Sequence, residues 1–125
     1  MTNITFFDDP LAQSPRDVKI KQLGLYVYPD GRRVAVGFDL SPFVERPSIE
    51  VNVLNERGEL AGSLNVIEPN STNFTLTLHL RDREPTTTYE LTATIYFQTP
   101  ETKRENGAQK TVTFDATQPG ELIFR

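Results

Sequence analysis

The chain has 125 residues and a net charge of −4, with 13 basic and 17 acidic side chains scattered along it, and it contains neither cysteine nor tryptophan. Its length suits one domain that buries roughly two thirds of its unfolded surface. The charge pattern excludes the basic stripe that nucleic acid requires, and the lack of cysteine excludes a disulfide staple or a thiolate metal site. No run approaches the ~20 apolar residues of a membrane span, and the N-terminus has neither a basic start nor a long apolar core. The expectation is a soluble cytoplasmic protein, or a secreted one where a leader has been removed.

Residues 1–17 read as an N-terminal arm, with the apolar run Ile4-Thr5-Phe6-Phe7 set off by Asp8-Asp9-Pro10. From residue 18 onward period-two alternation dominates, with no sustained helical stripe. Val18 and Ile20 alternate with lysines, then Leu23, Leu25 and Val27 continue in the opposite parity. That slip beside Gly24 predicts a bulge, a kink or a crossing between sheets. Pro29-Asp30-Gly31 is a turn: Pro presets φ, Asp caps locally and Gly accepts positive φ. Val34, Val36, Phe38 and Leu40 form the next strand, and Ile49, Val51 and Val53 the third. Asn55-Glu56-Arg57-Gly58 predicts a type I turn with Gly left-handed, hence a tight hairpin into Leu60 to Ile67. Phe74, Leu76, Leu78 and Leu80 give the cleanest alternation, and Leu91, Ala93, Ile95 and Phe97 answer it after Tyr89. Val112 and Phe114 mark a last strand, and residues 118–125 read as a C-terminal tail carrying Leu122-Ile123-Phe124.

Such spacing predicts an all-β fold, a seven-stranded antiparallel β-sandwich over residues 18–117, with an up-and-down barrel as the alternative. Pro85-Thr86-Thr87-Thr88-Tyr89 at the head of an alternating strand resembles the tyrosine corner of immunoglobulin-like and fibronectin type III-like domains. The resemblance covers residues 18–117 and implies that Tyr89 is a buried structural corner whose hydroxyl turns back onto the upstream backbone. The chain departs from that pattern at Arg83, where the family carries Leu, and in lacking the core Trp. Phe38, Phe74, Phe97 and Phe114 are then expected to supply the aromatic bulk.

The inventory for chemistry is thin. His79 is the only histidine and sits between Leu78 and Leu80, so its parity points it to solvent. Ser63 follows Gly62 without the Gly-x-Ser-x-Gly elbow, and no Gly-rich phosphate loop occurs. Asp8-Asp9 and Asp82-Arg83-Glu84 match no calcium loop and read as solvated turns or local ion pairs. Asn-x-Thr triplets at Asn3, Asn70 and Asn73 are expected by chance in a Thr-rich chain. No enzyme, catalytic residue, cofactor or metal is expected.

Binding is the remaining class. Alternating strand direction gathers three loops at one end: residues 41–47, 68–72 and 99–108. They offer Phe43, Val44, Lys103 and Arg104, with Phe43 read first as a plug for the open end of the core. Tyr26, Tyr28 and Tyr96 have outward parity and form a second candidate surface. The apolar terminal runs are a third, either shielding an edge strand or crossing to a neighbouring subunit. The expected function is a non-catalytic module for protein–protein contact or self-association, with a homodimer formed through an edge strand or terminal arm. The alternative is a carbohydrate or small-molecule module using the loop end or the Tyr face, against which the lack of Trp weighs. Neither nucleic acid nor membrane is an expected partner.

Overall fold

The computed structural model describes residues 17–120 and 122–125. Except for Asp17, the expected N-terminal arm lies outside the described residues, together with Asn3, Ile4 to Phe7, Asp8 and Asp9. Among the described residues eight strands form: β1 (Ile20–Val27), β2 (Arg33–Leu40), β3 (Ser48–Leu54), β4 (Leu60–Val66), β5 (Asn73–His79), β6 (Thr88–Phe97), β7 (Glu105–Asp115) and β8 (Leu122–Phe124). They pair into two four-stranded antiparallel sheets, ordered β5-β2-β1-β8 and β4-β3-β6-β7. The inward residues of both sheets merge into one apolar core.

Strand number is therefore eight, not seven. Leu122–Phe124 looks like a tail because three residues are too few to show a period. In the fold Ile123 is buried opposite Leu25, and reciprocal backbone hydrogen bonds of 2.9 Å join Leu23 and Arg125. A turn at Gly120 (φ 79°), whose N–H donates to the Val27 carbonyl at 2.8 Å, brings this short strand back beside β1.

Two local readings also shift. The parity slip in β1 falls between Ile20 and Gln22, at Lys21, rather than beside Gly24. Gly24 instead lies beneath the Phe124 ring, where a Cβ would sit 3.2 Å from Cε1. The last long strand begins at Glu105, so the loop expected over 99–108 shortens to residues 98–104. Polar residues at the start of β7 hid it, because an edge strand with one wet face needs few apolar positions.

The turns follow their chemistry. Gly31 (φ 65°) closes a turn from Tyr28, and Asp30 Oδ1 accepts from the N–H groups of Arg32 and Arg33. Gly58 (φ 77°) donates to the Asn55 carbonyl at 3.0 Å, making the tight β3–β4 hairpin. Phe38 stacks on Phe74 and Tyr89 on Phe114, with centroids 5.0 and 5.6 Å apart, while Phe97 is half-buried at the loop end.

Candidate functional site

Tyr89 is fully buried, and its hydroxyl accepts from the Thr86 N–H at 3.1 Å, three residues upstream. The same hydroxyl donates to Asp82 Oδ2 at 3.0 Å. Asp82 is not the solvated turn residue that its neighbours Arg83 and Glu84 suggest. Its side chain is buried, receives a hydrogen bond from Asn55 Nδ2 at 3.2 Å, and faces Arg32 Nη1 at 3.1 Å. Arg32 also donates to the Asp82 carbonyl at 2.6 Å. Burial is the largest influence on this carboxyl and pushes its pKa up. The hydrogen bonds from Asn55, Tyr89 and Arg32, with the Arg32 charge, outweigh it and leave the pKa below the ordinary value. Asn55 Oδ1 accepts from the N–H groups of Arg57 and Glu59, so the cluster also pins the β3–β4 turn. Glu56 extends the pinning through bonds to the Thr87 and Thr88 N–H groups. The exception to full pairing is Arg32 Nη1, which is buried without a hydrogen-bond partner and meets Asp82 only as an ion pair.

The opposite end of the molecule holds the gathered loops. Residues 67–72 meet the β3 start, where the Glu68 N–H donates to Ser48 Oγ at 3.3 Å, and the Leu40 N–H reaches the Thr72 carbonyl at 2.8 Å. Phe43 is half-buried against the core and Val44 is 81% exposed. Lys103 is exposed. Arg104 is engaged: Nη2 lies 2.8 Å from Glu50 Oε1, and its guanidinium sits 4.1 Å above the Tyr96 ring. The hydrogen bond from Arg104 holds the Glu50 carboxyl below its ordinary pKa.

Tyr96 is thus removed from the expected outward Tyr face. Its parity points away from the core, but Arg104 covers the ring and Asn65 Oδ1 accepts its hydroxyl at 2.7 Å, leaving 6% exposed. Tyr26 and Tyr28 do lie together on the other sheet, half-buried and edge-to-face at 5.4 Å, with Arg33 4.5 Å over Tyr28.

A surface that parity alone misses runs along the flank between β4 and β5, the edges of the two sheets. At one end the flank is sealed. The Arg81 N–H donates to the Ala61 carbonyl at 2.6 Å, and a Cβ on Gly62 would meet the His79 carbonyl at 2.6 Å. A glycine inside a strand was the available sign of such backbone approach. Toward residues 67–72 the cover thins: Leu64, Val66, Phe74 and Leu76 are half-buried against the core, and Ile67 is 65% exposed. Neither β4 nor β5 contains a charged residue or a proline. Those are the devices by which exposed edges are ordinarily blunted.

No protein-family profile matches the chain, and no curated protein sequence matches it. Solved structures of a β-glucuronidase from Ruminococcus gnavus, one apo and one in complex with D-glucuronic acid, are similar to it at TM-score 0.44 and 14% identity. The likeness covers 80% of this chain and 16% of that enzyme's chain. Among the described residues no three His, Asp or Glu side chains gather as a metal-holding group, and no helix is long and apolar enough to cross a membrane.

Proposed function

We propose that the protein is a non-catalytic β-sandwich module for protein contact, engaged along the β4–β5 flank by a partner that adds a strand to its edge. The reading rests on one observation: two charge-free, proline-free edge strands lie side by side, with half-buried Leu64, Val66, Phe74 and Leu76 between them. An added strand satisfies edge N–H and C=O groups while covering those side chains. Exposed Ile67 extends the surface onto the loop end. The fold is of the fibronectin type III kind in this reading, supported by the Tyr89 corner and the two sheet orders, with β8 as an addition. Light scattering over about 10–500 μM tests the contact with the chain itself as partner. Mass rising above the monomer, and falling back when Thr75 and Thr77 are both changed to Lys, supports the module. A monomer at every concentration refutes its self-associating form.

One observation favours a second reading as a small-molecule or carbohydrate module. Gly24 and Gly37 floor a shallow trough of about 230 Å³ on the outer face of the first sheet, between the 54%-exposed Phe124 and the polar Asp39, Asn73 and Thr75. A Cβ on Gly37 would meet only ordinary contacts, the nearest 3.5 Å away. Gly37→Ala therefore raises the floor of the trough in a folded protein. Neutral hexasaccharides that shift the Gly24 and Thr75 amide signals in the parent but not in this variant support the reading; no shift in the parent removes it.

A further inference from the structure

The two sheets leave four edges, β4, β5, β7 and β8, and they are not equally open. On β4 the Ala61 carbonyl is taken by the Arg81 N–H, and Gly62 is pressed against His79. β7 carries Glu105 and Lys110, and its pairing with β6 is interrupted between Thr94 and Tyr96. β8 has three residues and runs straight into Arg125. Only β5, Asn73-Phe74-Thr75-Leu76-Thr77-Leu78-His79, combines useful length, regular alternation and no charge; its ladder to β2 is unbroken from Asn73 to His79.

β5 also complements itself. In an antiparallel pair, directly opposed residues point to the same face, so two copies of β5 keep their apolar side chains inward only in registers that oppose residues of like parity. The Asn73 N–H and carbonyl are both held by Ser71 Oγ and the His79 carbonyl faces Gly62, so the open stretch of the edge runs over Thr75–Thr77. Among those registers, the one with its two-fold axis at Leu76 opposes that open stretch to itself. It opposes Leu76 to itself, Phe74 to the other copy's Leu78, and Thr75 to its Thr77. The inward row is then apolar against apolar, the outward row hydroxyl against hydroxyl, and no like charges meet. The same operation on β7, centred at residue 110, sets Lys110 against Lys110. Half-buried Phe74 and Leu76 are the side chains that gain cover.

We propose that the partner of this edge is a second copy of the chain, joined through antiparallel β5–β5 pairing centred on Leu76, so that the two four-stranded first sheets become one continuous sheet. The contact is isologous and closes at two copies. This inference rests on the flank reading above and adds its partner, strand and register.

The test uses the absence of native cysteine. Chains carrying Thr75→Cys and chains carrying Thr77→Cys are prepared separately, mixed and oxidised, because the register opposes 75 of one copy to 77 of the other at disulfide range. The mixture is expected to give covalent dimer at least tenfold faster than either variant alone, and tenfold faster than Lys110→Cys on β7. Leu76→Cys, lying on the axis, is expected to cross-link with itself. A dimer by light scattering that cross-links best through Lys110→Cys, or through Ser63→Cys on β4, overturns the inference and leaves the flank reading standing. A parent chain that is monomeric throughout overturns the inference and leaves the flank reading only with a different protein as partner. Melting of each reduced variant within a few degrees of the parent confirms that the folded chain is being compared.

Discussion

Removing the Tyr89 hydroxyl by Tyr89→Phe keeps the ring stacked on Phe114 and deletes only polar contacts. The hydroxyl serves two partners, accepting from the Thr86 N–H and donating to the buried Asp82 carboxylate. A hydrogen bond to a charged group contributes about 1.5–3 kcal/mol, and one between neutral groups about 1. Asp82 retains Asn55 and Arg32, so it is weakened rather than orphaned. The expected loss at pH 7 is therefore about 2 kcal/mol, or roughly 8 °C in melting temperature for a domain of this size. The loss also depends on pH. The folded pKa of Asp82 lies below its ordinary value, so its stabilisation is fully present above the unfolded pKa of about 3.9 and is lost as pH falls through the folded value. Because Tyr89 supplies part of that depression, the gap between variant and parent should shrink from pH 7 to pH 2.5. Urea unfolding at both pH values, with m unchanged, measures it. Equal stability at pH 7, or a gap that widens in acid, refutes the corner network.

Other perturbations probe the frame around the candidate flank. Gly62→Ala places a methyl 2.6 Å from the His79 carbonyl, a backbone atom, and should cost about 1–3 kcal/mol in urea unfolding. Ile123→Ala should cost about 2–4 kcal/mol if β8 belongs to the core; a loss under about 0.5 kcal/mol would return residues 122–124 to a tail. Arg104→Ala should cost no more than about 1 kcal/mol, because the Glu50 pair is partly exposed, while raising the accessibility of Tyr96 to iodination.

Most strands could be read from the chain because alternation such as Val34-Val36-Phe38-Leu40 is local, and local patterns survive in any two-sheet packing. The corner was legible for the same reason: Pro85, Tyr89 and Thr86 lie within five positions of one another. What escaped depends on partners far along the chain. Asp82 is buried by Arg32, fifty residues away, and no neighbour in sequence announces that. Tyr96 keeps its outward parity yet is covered by Arg104 from the following loop. The β4–β5 flank escaped because alternation assigns a side chain to a face without saying whether its strand is central or an edge. Strand order supplied that, by placing charge-free β5 at the margin of its sheet.

The central claim, that the β5 edge is a contact surface, is tested most directly by amide hydrogen exchange of β5 measured at two protein concentrations. At about 5 μM the edge-facing β5 amides other than that of Asn73, which Ser71 Oγ holds, should exchange rapidly, and at about 500 μM they should become protected while the Lys110 region of β7 stays unchanged. Exchange rates along Asn73–His79 that are the same at both concentrations would contradict the account.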